Sequence, residues 1–205
     1  MNAIQIGHLL HSSTTQFVAG CSVKQLEAPS LGALVRAPME AEDYQVFGLI
    51  TDIHIDDDGL VRQLVTAGNV RTDVIQDSRE NRIVPVEMSV LAVGYEQDGK
   101  IFHMLPPRPP LSLDKIYLCS ENELAKFTGA DGRSEPGHRD FGYFRHILQA
   151  QEIPVGEVLA AHIWQVKRQT KNEQWVDQAT RELITLLRDD YPTLMSMLGA
   201  LGEVI

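Results

Sequence analysis

Four of the five residues from Pro106 to Pro110 are proline, and the run divides the 205-residue chain into two stretches of different periodicity. Proline lacks an N–H and holds φ near −65°, so such a run cannot enter a helix interior or a central strand and favours an extended spacer. The run predicts a boundary, with residues 1–105 as one unit, 106–111 as a linker and 112–205 as a second unit. A proline-rich segment can also be a ligand for an aromatic groove, which makes Arg108 at its centre a candidate partner contact.

Before the run the pattern is that of short strands. Ile4–Leu10 and Gln16–Cys21 flank a polar turn, and Leu31–Ala37 is stopped by Pro38. Val46–Ile55 alternates, with Leu49, Thr51, Ile53 and Ile55 on one side and Gly48, Ile50, Asp52 and His54 on the other. It ends in Asp56-Asp57-Asp58-Gly59, a turn signal because Asp-Gly accepts the positive φ of a hairpin, and Val61–Ala67 reads as the partner strand. Val84–Tyr95 and Lys100–Leu105 flank a second hairpin at Gln97-Asp98-Gly99, and the polar segment Arg71–Arg82 reads as a long loop or short surface helix. Closely spaced strands without intervening helices predict a small barrel or sandwich.

After the run the period is helical. Ser120 and Glu123 form a capping-box pattern, and Gly129 is a stop signal. Phe141, Phe144, Ile147 and Leu148 share a stripe. Pro154 opens a helix with Val155, Val158, Leu159, His162, Ile163 and Val166 on one face. Asn172 is a cap for the last long helix, whose stripe of Trp175, Val176, Ala179, Leu183, Leu186 and Leu187 is ended by Pro192. The apolar tail Thr193–Ile205 is expected to dock as a short helix.

The formal net charge of −10 repels phosphate backbones and anionic membrane surfaces unless a basic face is segregated. No stretch approaches the ~18 apolar residues of a membrane span, and Met1–Leu10 lacks the layout of a signal peptide. A cytoplasmic location is the expectation. Cys21 and Cys119 stand far apart without metal-ligand neighbours, so both read as reduced thiols.

Three segments resemble chemical motifs. Gly94–Ile101 matches the spacing of a phosphate loop up to its last position, where Ile101 replaces the magnesium-binding hydroxyl, and Glu96 and Asp98 would face the phosphates. It reads as a hairpin, with no nucleotide expected. Asp52, His54 and Asp56 project from one strand face toward a possible cation, yet Val65 stands where a calcium loop needs its bidentate Glu. A solvated face is expected, with no metal and no cofactor. Arg133 through His146 places Arg139 and Arg145 among aromatics that include Tyr143, a mixture that can hold single-stranded nucleic acid; it reads either as the core stripe of an amphipathic helix or as an anion site or a contact for an acidic partner. No nucleophile elbow, zinc-binding helix or dinucleotide turn is present, so no catalytic residue is assigned. Trp164 lies about half a turn from its helix's apolar stripe at ~100° per residue; if that stripe is the core, it faces outward as an interface anchor, the alternative being a helix packed on both faces, in an oligomer or at the centre of the fold.

Ile6-Gly7-His8-Leu9-Leu10-His11-Ser12-Ser13-Thr14-Thr15-Gln16-Phe17 resembles the first hairpin of the HAS barrel, which HerA-type helicases share with rotary ATP synthase subunits. Phe47–Ile53 resembles that family's glycine-containing strand, and the proline-rich exit after Leu105 its end; the resemblance spans about residues 3 to 110. It implies an antiparallel barrel that contacts other subunits or partners. HerA-like proteins follow this barrel with a RecA-like motor; no phosphate loop follows it here, so ATPase activity passes to no residue. The whole chain resembles stand-alone barrel proteins of photosynthetic bacteria. The expectation is therefore an α+β chain, a small antiparallel β-barrel followed by an α-helical region. Its expected role is a non-enzymatic binding or assembly factor for a photosynthetic or other membrane protein complex, meeting membranes only through its partner. The alternatives are an accessory subunit of a HerA-like DNA-processing machine, touching DNA through residues 133–146, and a hydrolase or metal enzyme built on Asp52, His54 and Asp56.

Overall fold

Alternation of small and branched apolar residues builds the first half of the chain into strands. The computed structural model describes residues 4–24, 29–39, 43–55, 59, 66, 83–132 and 141–203. Among these are strands β1 (Ile4–Ser12), β2 (Gln16–Lys24), β3 (Leu34–Met39), β4 (Tyr44–Ile55), β5 (Ile83–Gln97), β6 (Lys100–Phe102) and β7 (Lys115–Leu118). They pair in the order β2-β1-β7-β3-β4-β5, and β2 pairs again with β5, so six antiparallel strands close into a barrel. Closure depends on the 15-residue length of β5. Its first part, Ile83–Leu91, pairs with β2, while Val86–Gln97 pairs with β4 and Tyr95–Gln97 carries β6 on the edge. The predicted strand Val61–Ala67 (apart from Thr66), the segment Arg71–Arg82 and the turn residues Asp56 to Asp58 lie outside the described residues.

The barrel interior is filled by Phe17, Val35, Val46, Ile50, Met88 and Val90 with smaller neighbours, all buried. Gly48 belongs to this interior: a Cβ there would stand 2.9 Å from both the Phe17 ring and the Leu91 carbonyl, and closer still to Val90.

Three expectations are corrected here. The alternation of β4 does not run unbroken, because Ile50 pairs with Val90 and Asp52 with Ser89, leaving Thr51 as an extra residue. This β-bulge reverses the facing, so Ile53 joins Ile50 against the barrel core instead of sharing a side with Leu49. Pro38 does not stop β3; it sits inside the strand opposite Gln45, where β7, which pairs with β3 only at Val35 and Arg36, has already ended. A strand whose second edge is open tolerates the missing N–H. And the proline run does not end the barrel: β7 comes after it and pairs with both β1 and β3.

Five helices are described: α1 (Glu121–Thr128), α2 (Phe144–Leu148), α3 (Val155–Thr170), α4 (Glu173–Leu186) and α5 (Tyr191–Gly202). The signals for their ends act as the sequence predicts, with one exception. Ser120 and Glu123 form a complete capping box, Gly129 closes α1 at φ 73°, and the Asn172 side chain accepts from the Trp175 N–H at 3.0 Å. Pro192, by contrast, does not end α4, which stops at Leu186; it occupies the first turn of α5, where a missing N–H costs nothing.

The outer face of the barrel is apolar where the helices lie. Leu34, Phe47, Leu49 and Val93 form one buried cluster with Phe127, Phe144, Ile147, Leu159 and Ile163. Each such side chain contributes ~1.5–3 kcal/mol on burial. The two stretches therefore share a core. An ion pair of 2.6 Å between Arg36 Nε on β3 and Glu123 at the start of α1 adds a polar tie at its edge. No described helix is long and apolar enough to cross a membrane.

Gly48→Val is expected to destabilise the fold by roughly 1–3 kcal/mol through overpacking. Gly156→Ala, whose new Cβ meets only Ala200 at 3.9 Å, is expected to raise stability slightly. Urea denaturation of the two variants checks both signs.

Candidate functional site

Helix α3 is packed over most of its circumference. Val158, Leu159, Ala160, His162, Ile163 and Val166 are all buried, which leaves one narrow sector open. Trp164 lies in that sector, 38% exposed, and the Arg168 guanidinium one turn later stands 4.7 Å from the ring centroid. A cation over an exposed indole contributes ~0.5–1 kcal/mol and holds the ring against the helix. Gln165, next along the chain, donates to the Leu31 carbonyl at 2.7 Å and fixes how the helix sits on the barrel. Trp164 thus faces outward as its spacing predicts. Arg168 was not singled out from sequence, although the i, i+4 spacing from a tryptophan is the signal that would have found it.

Tyr143 is a different case. It is fully buried, so it is a core residue and offers no surface to a partner. Its ring packs against His103, Phe127, Phe144 and His162. Its hydroxyl lies 3.0 Å from His162 Nε2, and His162 Nδ1 lies 3.1 Å from the Gly32 carbonyl. The carbonyl can only accept, so Nδ1 carries the proton and Nε2 accepts from the tyrosine. Gly32 is held at φ 74°, and a Cβ there would come within 2.7 Å of the His162 backbone nitrogen.

The arginines of the predicted partner surface divide. Arg145 donates to the His103 carbonyl at 2.8 Å and so clamps the chain just before the proline run. Arg139 lies outside the described residues, as do Arg133 and His138. Arg108 is exposed, with its guanidinium 5.8 Å from the Tyr44 ring centroid. The run itself is strapped to the barrel: the Tyr44 hydroxyl donates to the Arg108 carbonyl at 3.0 Å, and the Ser12 hydroxyl donates to the Pro110 carbonyl. The strap displays Met104, Leu105, Leu111 and Leu113, the last 79% exposed and at φ 71°. Its N–H is nevertheless bonded to the Leu9 carbonyl at 2.8 Å.

The other sequence candidates take ordinary places. Gly94–Ile101 is the β5–β6 hairpin, turned by Asp98 at φ 51° and Gly99 at φ 76°. Asp52 and His54 are exposed near the end of β4, Asp56 lies outside the described residues, and no cluster of three metal-ligating side chains occurs among those described. Burial, reinforced by the Glu123 carboxylate and partly opposed by Arg36, pushes the Cys119 thiol well above its ordinary range. Partial burial also raises Cys21. Both are thiols at neutral pH rather than nucleophilic thiolates.

Burial lowers His162 from 6.5 to about 4, the Gly32 hydrogen bond only partly opposing it. As pH falls below 6.5 the unfolded chain takes up this proton first. The contribution is complete above that pH and is lost on the way down to about 4, a loss of about 3 kcal/mol. The His162→Gln chain is expected to lack this part of the pH slope, read from urea midpoints between these limits.

Neither models of known protein families nor curated proteins gave a match to this chain.

Proposed function

We propose that the chain is a non-enzymatic protein-binding or assembly factor whose contact surface centres on Trp164 and Arg168. The observation that carries this reading is a large aromatic left in the open sector of an otherwise packed helix and stacked by a cation. Tryptophan and arginine are the residues most enriched among those that dominate binding energy. A ring already held in place loses less freedom on binding, so more of its contact energy appears as affinity. The apolar side chains of the strap, Met104, Leu105, Leu111 and Leu113, provide a second exposed area of the same character. The partner is a protein complex, photosynthetic or otherwise membrane-bound, as the resemblance to HAS-barrel proteins of photosynthetic bacteria implies. The chain acts from the cytoplasm and meets the membrane through that partner.

The DNA-processing alternative is less well supported. The net charge is −10, and Arg145 spends its guanidinium on the His103 carbonyl. That reading requires salt-dependent DNA binding weakened by Arg139→Ala and Arg145→Ala.

Affinity capture of the tagged chain from its native host, followed by binding measurements on the recovered partner, tests the proposal. Trp164→Ala is expected to weaken binding at least tenfold, corresponding to ~1.4 kcal/mol or more, with an unchanged melting temperature. Arg168→Ala is expected to weaken it less. Full affinity in the Trp164→Ala chain would remove this surface from the proposal.

A further inference from the structure

A cleft of about 680 Å³ separates the outer face of the barrel from the α2–α3 connection. Its floor comes from strand positions that face away from the barrel core: Gln16 and Val18 on β2, Ser89 and Leu91 on β5, and Thr51 at the β4 bulge. Its wall is His146 of α2 and the residues from Gln149 to Ile153, with Leu105 of the strap at the rim. The volume falls within the ~300–1,000 Å³ of small-molecule sites.

The lining is selective by charge. Among the described residues that line it there is no lysine or arginine, and Glu152 is the one acidic residue, in a chain of net charge −10. An anion would find no counter-charge among these residues. His146 donates Nε2–H to the His103 carbonyl at 3.4 Å, which leaves Nδ1 as an acceptor. Burial lowers its pKa, so the ring is neutral at pH 7.

The polar groups are instead uncharged and two-sided. The carboxamides of Gln16, Gln149 and Gln151 make no hydrogen bond to other described residues, and each offers two N–H donors and a carbonyl. The Thr51 hydroxyl donates to the Ser89 carbonyl at 3.2 Å, which leaves its oxygen free to accept. Leu91, Leu105 and Ile153 supply apolar surface between these groups. The wall also holds Glu152 at φ 63°, a left-handed conformation that costs a non-glycine residue ~1–2 kcal/mol. Such strain persists where the surrounding structure dictates it, often at ligand clamps.

We propose that this cleft binds an uncharged polyhydroxylated small molecule of the sugar or polyol class. A hydroxyl both donates and accepts, as a carboxamide does, and the C–H faces of a sugar ring match the apolar strip. The site lies apart from Trp164, shares only Leu105 with the strap, and does not rest on the protein-binding reading.

The test is ¹H–¹⁵N NMR of the full chain titrated with D-glucose, myo-inositol and trehalose, with inorganic phosphate and putrescine as anionic and cationic comparators. At least one of the three polyols is expected to shift the side-chain amide signals of Gln149 and Gln151 saturably. The Gln149→Ala/Gln151→Ala chain, altered only at exposed positions, is expected to bind it at least tenfold more weakly with an unchanged melting temperature. Saturation by phosphate or putrescine with the polyols silent would overturn the proposal. So would the absence of saturation by every polyol at about 50 mM, well above the ~1 mM of a weak specific site.

Discussion

The barrel wall along β3, β4 and β5 is apolar on both faces, and the rest of the fold answers to that constraint. Leu34, Phe47, Leu49 and Val93 would lie in water if the barrel stood alone. The helices bury them, and in doing so they turn a small closed sheet into one side of a larger core. Small domains gain little from their own interior, so a second layer on the wall is a large share of the stability available to a chain of this size. The β-bulge at Thr51 and the extra residue Val93 on β5 serve the same arrangement, since each changes which side chains face in and which face the helices.

The helical layer is registered on the barrel by polar contacts as well as by packing. Gly32 brings its backbone against α3 where a side chain would not fit, and its carbonyl accepts a hydrogen bond from the His162 Nδ1–H. Hydrogen bonds of this kind add only ~1 kcal/mol each, but leaving the buried imidazole without them would cost more. Their geometry also decides which sector of α3 is left open, and therefore that Trp164 is the residue standing in it.

Much of this was legible in the sequence, and the unread parts share a cause. Caps at Ser120, Gly129 and Asn172 act through neighbours three or four residues away, so local pattern finds them. Trp164 was legible for the same reason. β7 was not: four residues, Lys115–Leu118, carry too little alternation to be recognised, and their partners Ile4 to His8 stand more than a hundred positions earlier. The aromatic stripe around Tyr143 left core and partner readings open, and only the tertiary position of His162 decides between them. Pro38 misled because the rule against proline in strands depends on whether the second edge is paired, which one strand cannot disclose. The cleft has no sequence signal at all, as it joins β2, β4, β5 and the α2–α3 connection only in the folded chain.

The late arrival of β7 bears on how the chain is made. Synthesis delivers β1 first, yet its edge from Ile4 to His8 has no neighbour until Lys115–Leu118 leaves the ribosome. Until then the nascent barrel is an open sheet with an unpaired border along β1, a surface on which other chains can add strands. Closure waits for β7, which precedes all five described helices, and the strapped prolines bring it to the gap it fills.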